Sequence, residues 1–396
     1  MATPKLRFKE FDGDWTSKQL GKIIGISSAS RVFKEQWQDS GVPFFRTSDV
    51  VSIFKNKENE KAYISLELFE ELAKKSGKIK QGDLLVTGGG SIGIPYLVPN
   101  DQPLYFKDAD LLWMKSSGIV EGSFLYNFFI SPKFREYLKS ISHTGTISHF
   151  TIEQAKATPF GFPSKEEQTK IASFLSNVDE KISQLTQKHE LLSQYKQGMM
   201  QKLFSQQIRF KADDGSEFGE WEETVLEKIG AFLKGKGISK ADIVEDGFTP
   251  CIRYGELYTH YGEVISKVIS ATNLEIENLI LSKANDVLIP ASGETQIDIA
   301  TASCVLHDDV ALSGDLNIFR TKENGVFLSY LIRSHLKMQI AQLAQGNSVV
   351  HLYSSQLKGV RLNLPCLEEQ TKIANFLSAI DQKIDVVAQQ IEQAKM

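Results

Sequence analysis

Residues 166–182 read EEQTKIASFLSNVDEKI, and residues 368–384 read EEQTKIANFLSAIDQKI. Thirteen of the seventeen positions are identical at an offset of 202 residues, which chance does not give. Self-similarity at a fixed offset marks a repeated unit and constrains the architecture before any single residue is interpreted. Outward from these segments the match continues, more weakly. Leu6-Arg7-Phe8-Lys9 corresponds to Ile208-Arg209-Phe210-Lys211, and Trp15 to Trp221. Pro43-Phe44-Phe45-Arg46 corresponds to Pro250-Cys251-Ile252-Arg253, and Gly82-Asp83-Leu84-Leu85 to Asn285-Asp286-Val287-Leu288. Asp110-Leu111 corresponds to Asp315-Leu316, and His149 to His351. The chain is two copies of one unit, each a divergent domain of about 150 residues followed by a nearly invariant segment.

The invariant segments predict long helices. Ile171, Leu175, Val178, Ile182, Leu185, His189, Leu192, Lys196, Met199 and Leu203 advance in alternating steps of four and three, a heptad seam. The second copy runs Ile373, Leu377, Ile380, Ile384, Val387, Ile391, Ala394. Pro163 followed by Ser164-x-x-Glu167 is a capping box; in the second copy Cys366 replaces the serine and weakens it. At about 1.5 Å per residue the helices span roughly 60 and 45 Å. A chain that returns through a whole domain between two seams most simply packs them antiparallel. His189 and Lys196 interrupt the first seam. They mark either an exposed, frayed stretch or polar positions that set register.

Between the helices the pattern is short and strand-like, punctuated by Gly, Pro, Asn and Asp. Strands are expected at 43–46, 83–86, 104–106 and 111–115, and at 250–254, 286–289, 302–306 and 316–320. Helical stretches are expected at 122–140 and 326–344. The class is α+β with a mixed or antiparallel sheet.

Composition sets the outer bounds. The 396 residues are 41% hydrophobic and 24% charged, which buries cores and excludes wholesale disorder. A net charge of −4 excludes a uniformly basic coat but not a local basic cleft. Three cysteines, Cys251, Cys304 and Cys366, exclude a disulfide framework and fit a reducing cytoplasm. The N-terminus has no apolar core of a signal peptide, and no apolar run approaches the roughly 18 residues of a membrane span.

Residues 88–93, GGGSIG, carry the G-x-G-x-x-G spacing after a strand. A dinucleotide site needs a helix to follow, and Pro95 and Pro99 follow instead. A surface loop, or a loop approaching a ligand closely, is the expectation. Asp179-Glu180-Lys181 and Asp381-Gln382-Lys383 resemble acid–lysine groupings of nuclease sites. They lie on heptad helices with no second acid nearby, so a solvated face or partner contact is expected. His143 and His149 have poor metal spacing. No catalytic constellation is visible.

Polar loop residues at matching places in both copies are the candidate DNA contacts. Thr144, Thr146, Ser148 and His149 pair with Asn347, Ser348 and His351. Arg46 pairs with Arg253, and Thr47 with Tyr254. Gly89 and Ser91 of the glycine loop, and Ser292 and Thr295 of the second copy, are further candidates, and the segment ending at Arg31 corresponds loosely to Lys234 and Lys236. Lys and Arg suit phosphates; Arg, Asn, Gln, Ser and Thr suit base edges. Glu167, Gln168, Lys170 and Asp179 recur as Glu369, Gln370, Lys372 and Asp381, and such identity on a helix face suggests a shared partner.

Two divergent domains, each followed by a Pro-x-x-Glu-Glu-Gln-x-x-Ile-Ala-x-Phe-Leu-x-x-x-Asp-x-x-Ile helix, resemble the specificity (S) subunit of type I restriction–modification systems. Pro163–Ile182 and Pro365–Ile384 carry the resemblance most specifically, and it covers essentially the whole chain. It implies two tandem mixed α/β target recognition domains separated by two long antiparallel coiled-coil helices, related by a pseudo-two-fold repeat. The implied boundaries are 1–162 for the first recognition domain, 163–207 for the central helix, 208–362 for the second domain and 363–396 for the C-terminal helix. It further implies that each domain reads one half of a bipartite double-stranded DNA target. The helices would set the spacer and bind two DNA adenine methyltransferase subunits, with restriction–translocase subunits joining for cleavage. S-adenosylmethionine, ATP and Mg would be used by those partners, and this chain would be non-catalytic and cytoplasmic, with no membrane. The rival readings are a coiled-coil scaffold without DNA readout and an enzyme whose site carries no recognisable motif.

Overall fold

The structure, a computed structural model, describes residue 4 and residues 6–116, 118–141, 149–346 and 349–395. It divides into two compact units, Met1–Glu180 and Lys181–Met396, the division falling within the long helix Lys165–Phe204.

In the first unit a four-stranded antiparallel sheet has the order Gly25–Ser27, Leu111–Lys115, Leu84–Thr87, Pro95–Leu97. A second sheet sets Val42–Phe45 between antiparallel Ala62–Ile64 and parallel Tyr105–Phe106. The expected strands are all present, shifted by a residue or two, with one sheet of this unit antiparallel and the other mixed. The expected helix at 122–140 is two helices, Gly122–Ile130 and Pro132–Ser140. Ser131 makes the break: its hydroxyl accepts from the Phe134 N–H and Pro132 sits at the first helical position, where its missing N–H costs nothing. These helices cover the four-stranded sheet with aromatic rings. Phe129 and Phe134 meet at 4.6 Å between centroids, and Phe128 and Phe160 at 5.0 Å. Phe129, Phe134, Phe150 and Phe160 are fully buried, each contributing about 1.5–3 kcal/mol of transfer free energy.

The second unit has two five-stranded sheets. One orders Gly230–Lys234, Leu316–Thr321, Val287–Pro290, Ser303–Val305, Val264–Ile265; the other orders Ile243–Val244, Ser270–Thr272, Thr249–Ile252, Ala311–Leu312, Ile280–Leu281. The expected helix at 326–344 again splits, into Gly325–Arg333 and Lys337–Ala341.

The repeat is visible in local detail. The first strand of each domain pairs antiparallel with its last: Thr16–Gln19 with Pro159–Phe162, and Glu222–Val225 with Arg361–Leu364. The recurring Gly/Asn-Asp motif has a backbone cause. Gly82 and Asn285 both adopt left-handed φ, 84° and 81°, which glycine takes freely and asparagine tolerates. The following aspartates are buried and accept backbone N–H bonds from Lys80 and Lys283, at 2.9 and 2.8 Å.

The long helices are Lys165–Phe204 and Leu367–Lys395. Every seam residue read from the sequence is buried or half-buried in them. Within the second unit, Leu203 and Phe204 share one core with Ile373, Leu377 and Ile380, while Lys196 meets Asp381, the sense of an antiparallel pair. The Ser164 capping box is half made. The hydroxyl accepts from the Glu167 N–H at 3.3 Å, but the Glu167 carboxylate is engaged elsewhere. Among the described residues no helix is long and apolar enough to cross a membrane.

Candidate nucleic-acid interface and the helix starts

In each unit the glycine-loop position, the Asp-Leu turn and the histidine segment converge through the same backbone hydrogen bonds. In the first, the Gly88 N–H donates to the Asp110 carbonyl at 2.8 Å and the Phe150 N–H donates to the Gly88 carbonyl at 2.7 Å. In the second, Ala291 donates to Asp315 at 2.9 Å and Leu352 donates to Ala291 at 3.0 Å. Gly89 therefore bridges to His149, and Ser292 pairs with His351. A fourth segment joins. The Ala109 N–H donates to Ser28 Oγ at 2.9 Å, and the Lys236 N–H donates to the Leu312 carbonyl at 3.0 Å.

The side chains displayed on this common junction differ. In the first unit Thr47 lies beside Gly90, its hydroxyl donating to the Asp110 carbonyl, and Ser91 and His149 are exposed. Arg31 is exposed and ion-paired to Asp108, and Lys107 to Asp110. In the second, Tyr254 and Tyr258 rings lie 6.4 Å apart, Tyr258 beside Gly293. Thr295 is exposed and caps a short helix, and His351 stacks parallel to Tyr353. Lys234 and Lys236 are exposed. The glycine loop turns directly into the strand Pro95–Leu97, with the Thr87 hydroxyl donating to the Ser91 carbonyl, so no helix N-terminus awaits a pyrophosphate. Thr144, Thr146, Ser148, Asn347 and Ser348 lie outside the described residues.

Two expected contacts turn inward. Arg46 donates to both oxygens of Asp49 and to the Glu60 carbonyl, and its guanidinium lies over Trp37. Arg253 pairs with buried Glu256 at 3.3 Å. These arginines brace the start of the following helix. Lys107, Tyr258 and the Asp110/Asp315 turn were not among the expected residues; the recurrence of Asp-Leu at 110 and 315 was the signal available for that turn.

The helix starts also correct the expectation of a partner surface. Glu167 is 1% exposed and Glu369 0%. Arg7 donates to both oxygens of Glu167, and Arg209 to both of Glu369. The Trp15 and Trp221 indoles add a further donor each, at 3.4 and 3.2 Å. Gln168 accepts from the Glu121 N–H and donates to the Ile119 and Pro163 carbonyls; Gln370 accepts from Asn324 and donates to Glu323 and the Pro365 carbonyl. These four side chains are identical because each closes its own unit, not because they face outward. Lys170 and Lys372 lie at the rim, paired with Glu10 and Asp213, and the Lys170 hydrogen bond holds the Glu10 carboxyl below its usual range.

Asp179 is exposed, as a solvated or partner-facing residue would be; its counterpart Asp381 is not. Asp381 accepts from the Tyr330 hydroxyl and pairs with Lys196 at 2.7 Å. Burial raises its pKa despite the lysine, and burial together with Asp381 raises that of Tyr330. Lys196 also pairs with Glu263 at 3.0 Å and lies over the Tyr330 ring. It is anchored, which removes the reading of a frayed stretch.

A profile of the family described as "Type I restriction modification DNA specificity domain" matches residues 12–194 and 219–396, one copy in each repeat. The chain belongs to that family. Among curated relatives, the putative type I restriction enzyme MjaX specificity subunit of Methanocaldococcus jannaschii is 25% identical over 99% of this chain and 93% of its own. The MjaVIII specificity subunit of the same organism is 26% identical over 68% of this chain and 67% of its own. Among solved structures, a type I restriction–modification S subunit from M. genitalium aligns over 99% of this chain and 96% of its own, with TM-score 0.57 and 17% identity. That likeness shows the fold: tandem α/β specificity domains with long helices.

Proposed function

We propose that this chain is the non-catalytic DNA-reading subunit of a type I restriction–modification complex. Each unit reads one half of a bipartite duplex target through its four-segment junction. The two long helices set the unspecified spacer and hold two adenine methyltransferase subunits. Methyl transfer, ATP hydrolysis and cleavage, with S-adenosylmethionine, ATP and Mg, reside in those methyltransferases and in restriction–translocase subunits.

One observation carries this reading. Three of the four segments of each junction are joined by the same backbone bonds in both units, while the side chains they display differ. A common scaffold with divergent exposed groups is what two readers of different base sequences require, because base edges are told apart only by donor–acceptor and methyl pattern. The net charge of −4 supports a division of labour in which the partners provide much of the phosphate affinity.

The test is methylome sequencing of cells expressing the chain with its methyltransferase. His149→Ala should relax one base position in one half-site only, and His351→Ala one position in the other. A direct base contact is worth about 1–3 kcal/mol of discrimination. Relaxation of both halves by either variant would contradict independent readers.

A further inference from the structure

Lys196 occupies a heptad seam position, where an aliphatic side chain would pack, and is only 15% exposed. Its ammonium makes three contacts from three elements of the second unit. It meets Asp381 on the C-terminal helix at 2.7 Å, Glu263 just before the strand Val264–Ile265 at 3.0 Å, and the face of Tyr330 on Gly325–Arg333 at 5.2 Å. Tyr330 closes the ring by donating to Asp381. Arg333, one turn along from Tyr330, donates to the Ala302, Leu257 and Tyr261 carbonyls and feels the charges of Glu263 and Asp381. Two cations and two anions thus balance in a half-buried knot.

The aliphatic residues of the seam do not by themselves specify one register; at the start of the C-terminal helix Arg209, just beyond Phe204, also holds the buried Glu369. Ile373, Leu377, Ile380, Ile384 and Val387 are all aliphatic, and a slide by one heptad would exchange like for like. Lys196 would not tolerate it. One heptad either side of Asp381 stand Ala374 and Ala388, so a slipped helix leaves the ammonium without a carboxylate in a desolvated seam. The matching acid of the first repeat, Asp179, is exposed and forms no ion pair among the described residues, so the aspartate alone does not build such a knot.

We propose that Lys196 is a positioning residue that, acting together with the Arg209–Glu369 pair at the helix start, locks a single register of Lys165–Phe204 against Leu367–Lys395 and, through Glu263, seats the second domain on that pair. Resting on the reading above that the helices set the spacer, the lock makes the complex accept one spacer length.

Two measurements test it. First, in a Cys366→Ser background, Leu191→Cys and Val386→Cys, both exposed on the two helices, carry spin labels for distance measurement on the full chain. Lys196 gives one distance peak. Lys196→Met gives a second population displaced by about 10 Å along the helix, one heptad at about 1.5 Å per residue. Lys196→Arg restores one peak. The pair Lys196→Met with Asp381→Leu removes both charges from the seam and so guards against simple unfolding; it gives the same two populations. Second, methylome sequencing with the partner methyltransferase shows both half-sites unchanged in Lys196→Met but a second spacer, shifted by about three base pairs at about 3.4 Å each. A single peak in both methionine variants overturns the lock, whatever the DNA result. Two peaks with one unchanged spacer uphold the lock and sink the reading that the helices measure the spacer.

Discussion

Arg7 reaches across 160 residues to chelate the buried Glu167 carboxylate, and Arg209 reaches across the same 160 residues to Glu369. Each repeat is thereby tied, from the segment before its domain to the first turn of its long helix. Edge-to-face pairs reinforce the tie: Phe8 on Phe174 at 5.7 Å and Phe210 on Phe376 at 5.5 Å.

Breaking one tie should therefore loosen one unit. Arg7→Ala leaves Glu167 buried without its cation, and Glu167→Arg sets two cations together. Either should lower the unfolding temperature of the first unit and leave the second unmoved, with Arg209→Ala giving the reverse. Scanning calorimetry with hydrogen exchange resolved by segment reads this. If Glu167→Arg left the melt unchanged and abolished only methyltransferase assembly, the carboxylate would be a partner contact after all.

Gly122 and Gly325 should resist substitution for one shared reason. A Cβ at either would collide with the carbonyl oxygen of Gly82 or of Asn285, the left-handed residues of the repeated motif. Alanine at either glycine should cost about 1–3 kcal/mol, because backbone must move. At Asn285, glycine should be tolerated better than valine: both lose the bond accepted from the Gly325 N–H, but only valine is strained at φ 81°. Urea midpoints of the four variants check the order.

Alkali should weaken the second unit. Burial pushes the Cys251 thiol up to about 11 and the Cys304 thiol up to about 12. An unfolded thiol ionises near about 8.5, so from there upward the unfolded chain has released protons that the folded one retains, and stability falls as pH rises toward those folded values. Tyr261, pushed up to about 12, acts in the same sense. Urea midpoints between pH 8 and 10 should fall for the second unit, and Cys251→Ala with Cys304→Ala should flatten the slope. At pH 8, iodoacetamide should modify Cys366 in the native protein and spare the other two.

The fold was legible where one rule governs one period. The seam of Leu367–Lys395 survives intact because 3.5-residue spacing leaves no other buried face. The strands at 84–87 and 287–290 followed from short apolar runs after turn residues. Sequence reasoning failed where identity had two possible causes. Glu167 and Gln168 recur because they are buried, and a repeat alone cannot separate a conserved interior bond from a conserved outward contact. At Arg46 and Arg253 the sequence did not show that Asp49 and Glu256, three residues on, pair with their charge. The junction was half legible: His149 and His351 aligned, but their pairing with Gly89 and Ser292 is long-range.

The central claim is that the two units are independent readers of two half-sequences. It is tested most directly by replacing residues 1–160 with those of another family member of known target and sequencing the methylome. The account predicts a hybrid target: one half taken from the donor, the other half and the spacer unchanged. A target altered in both halves, or not altered at all in an active complex, would contradict it.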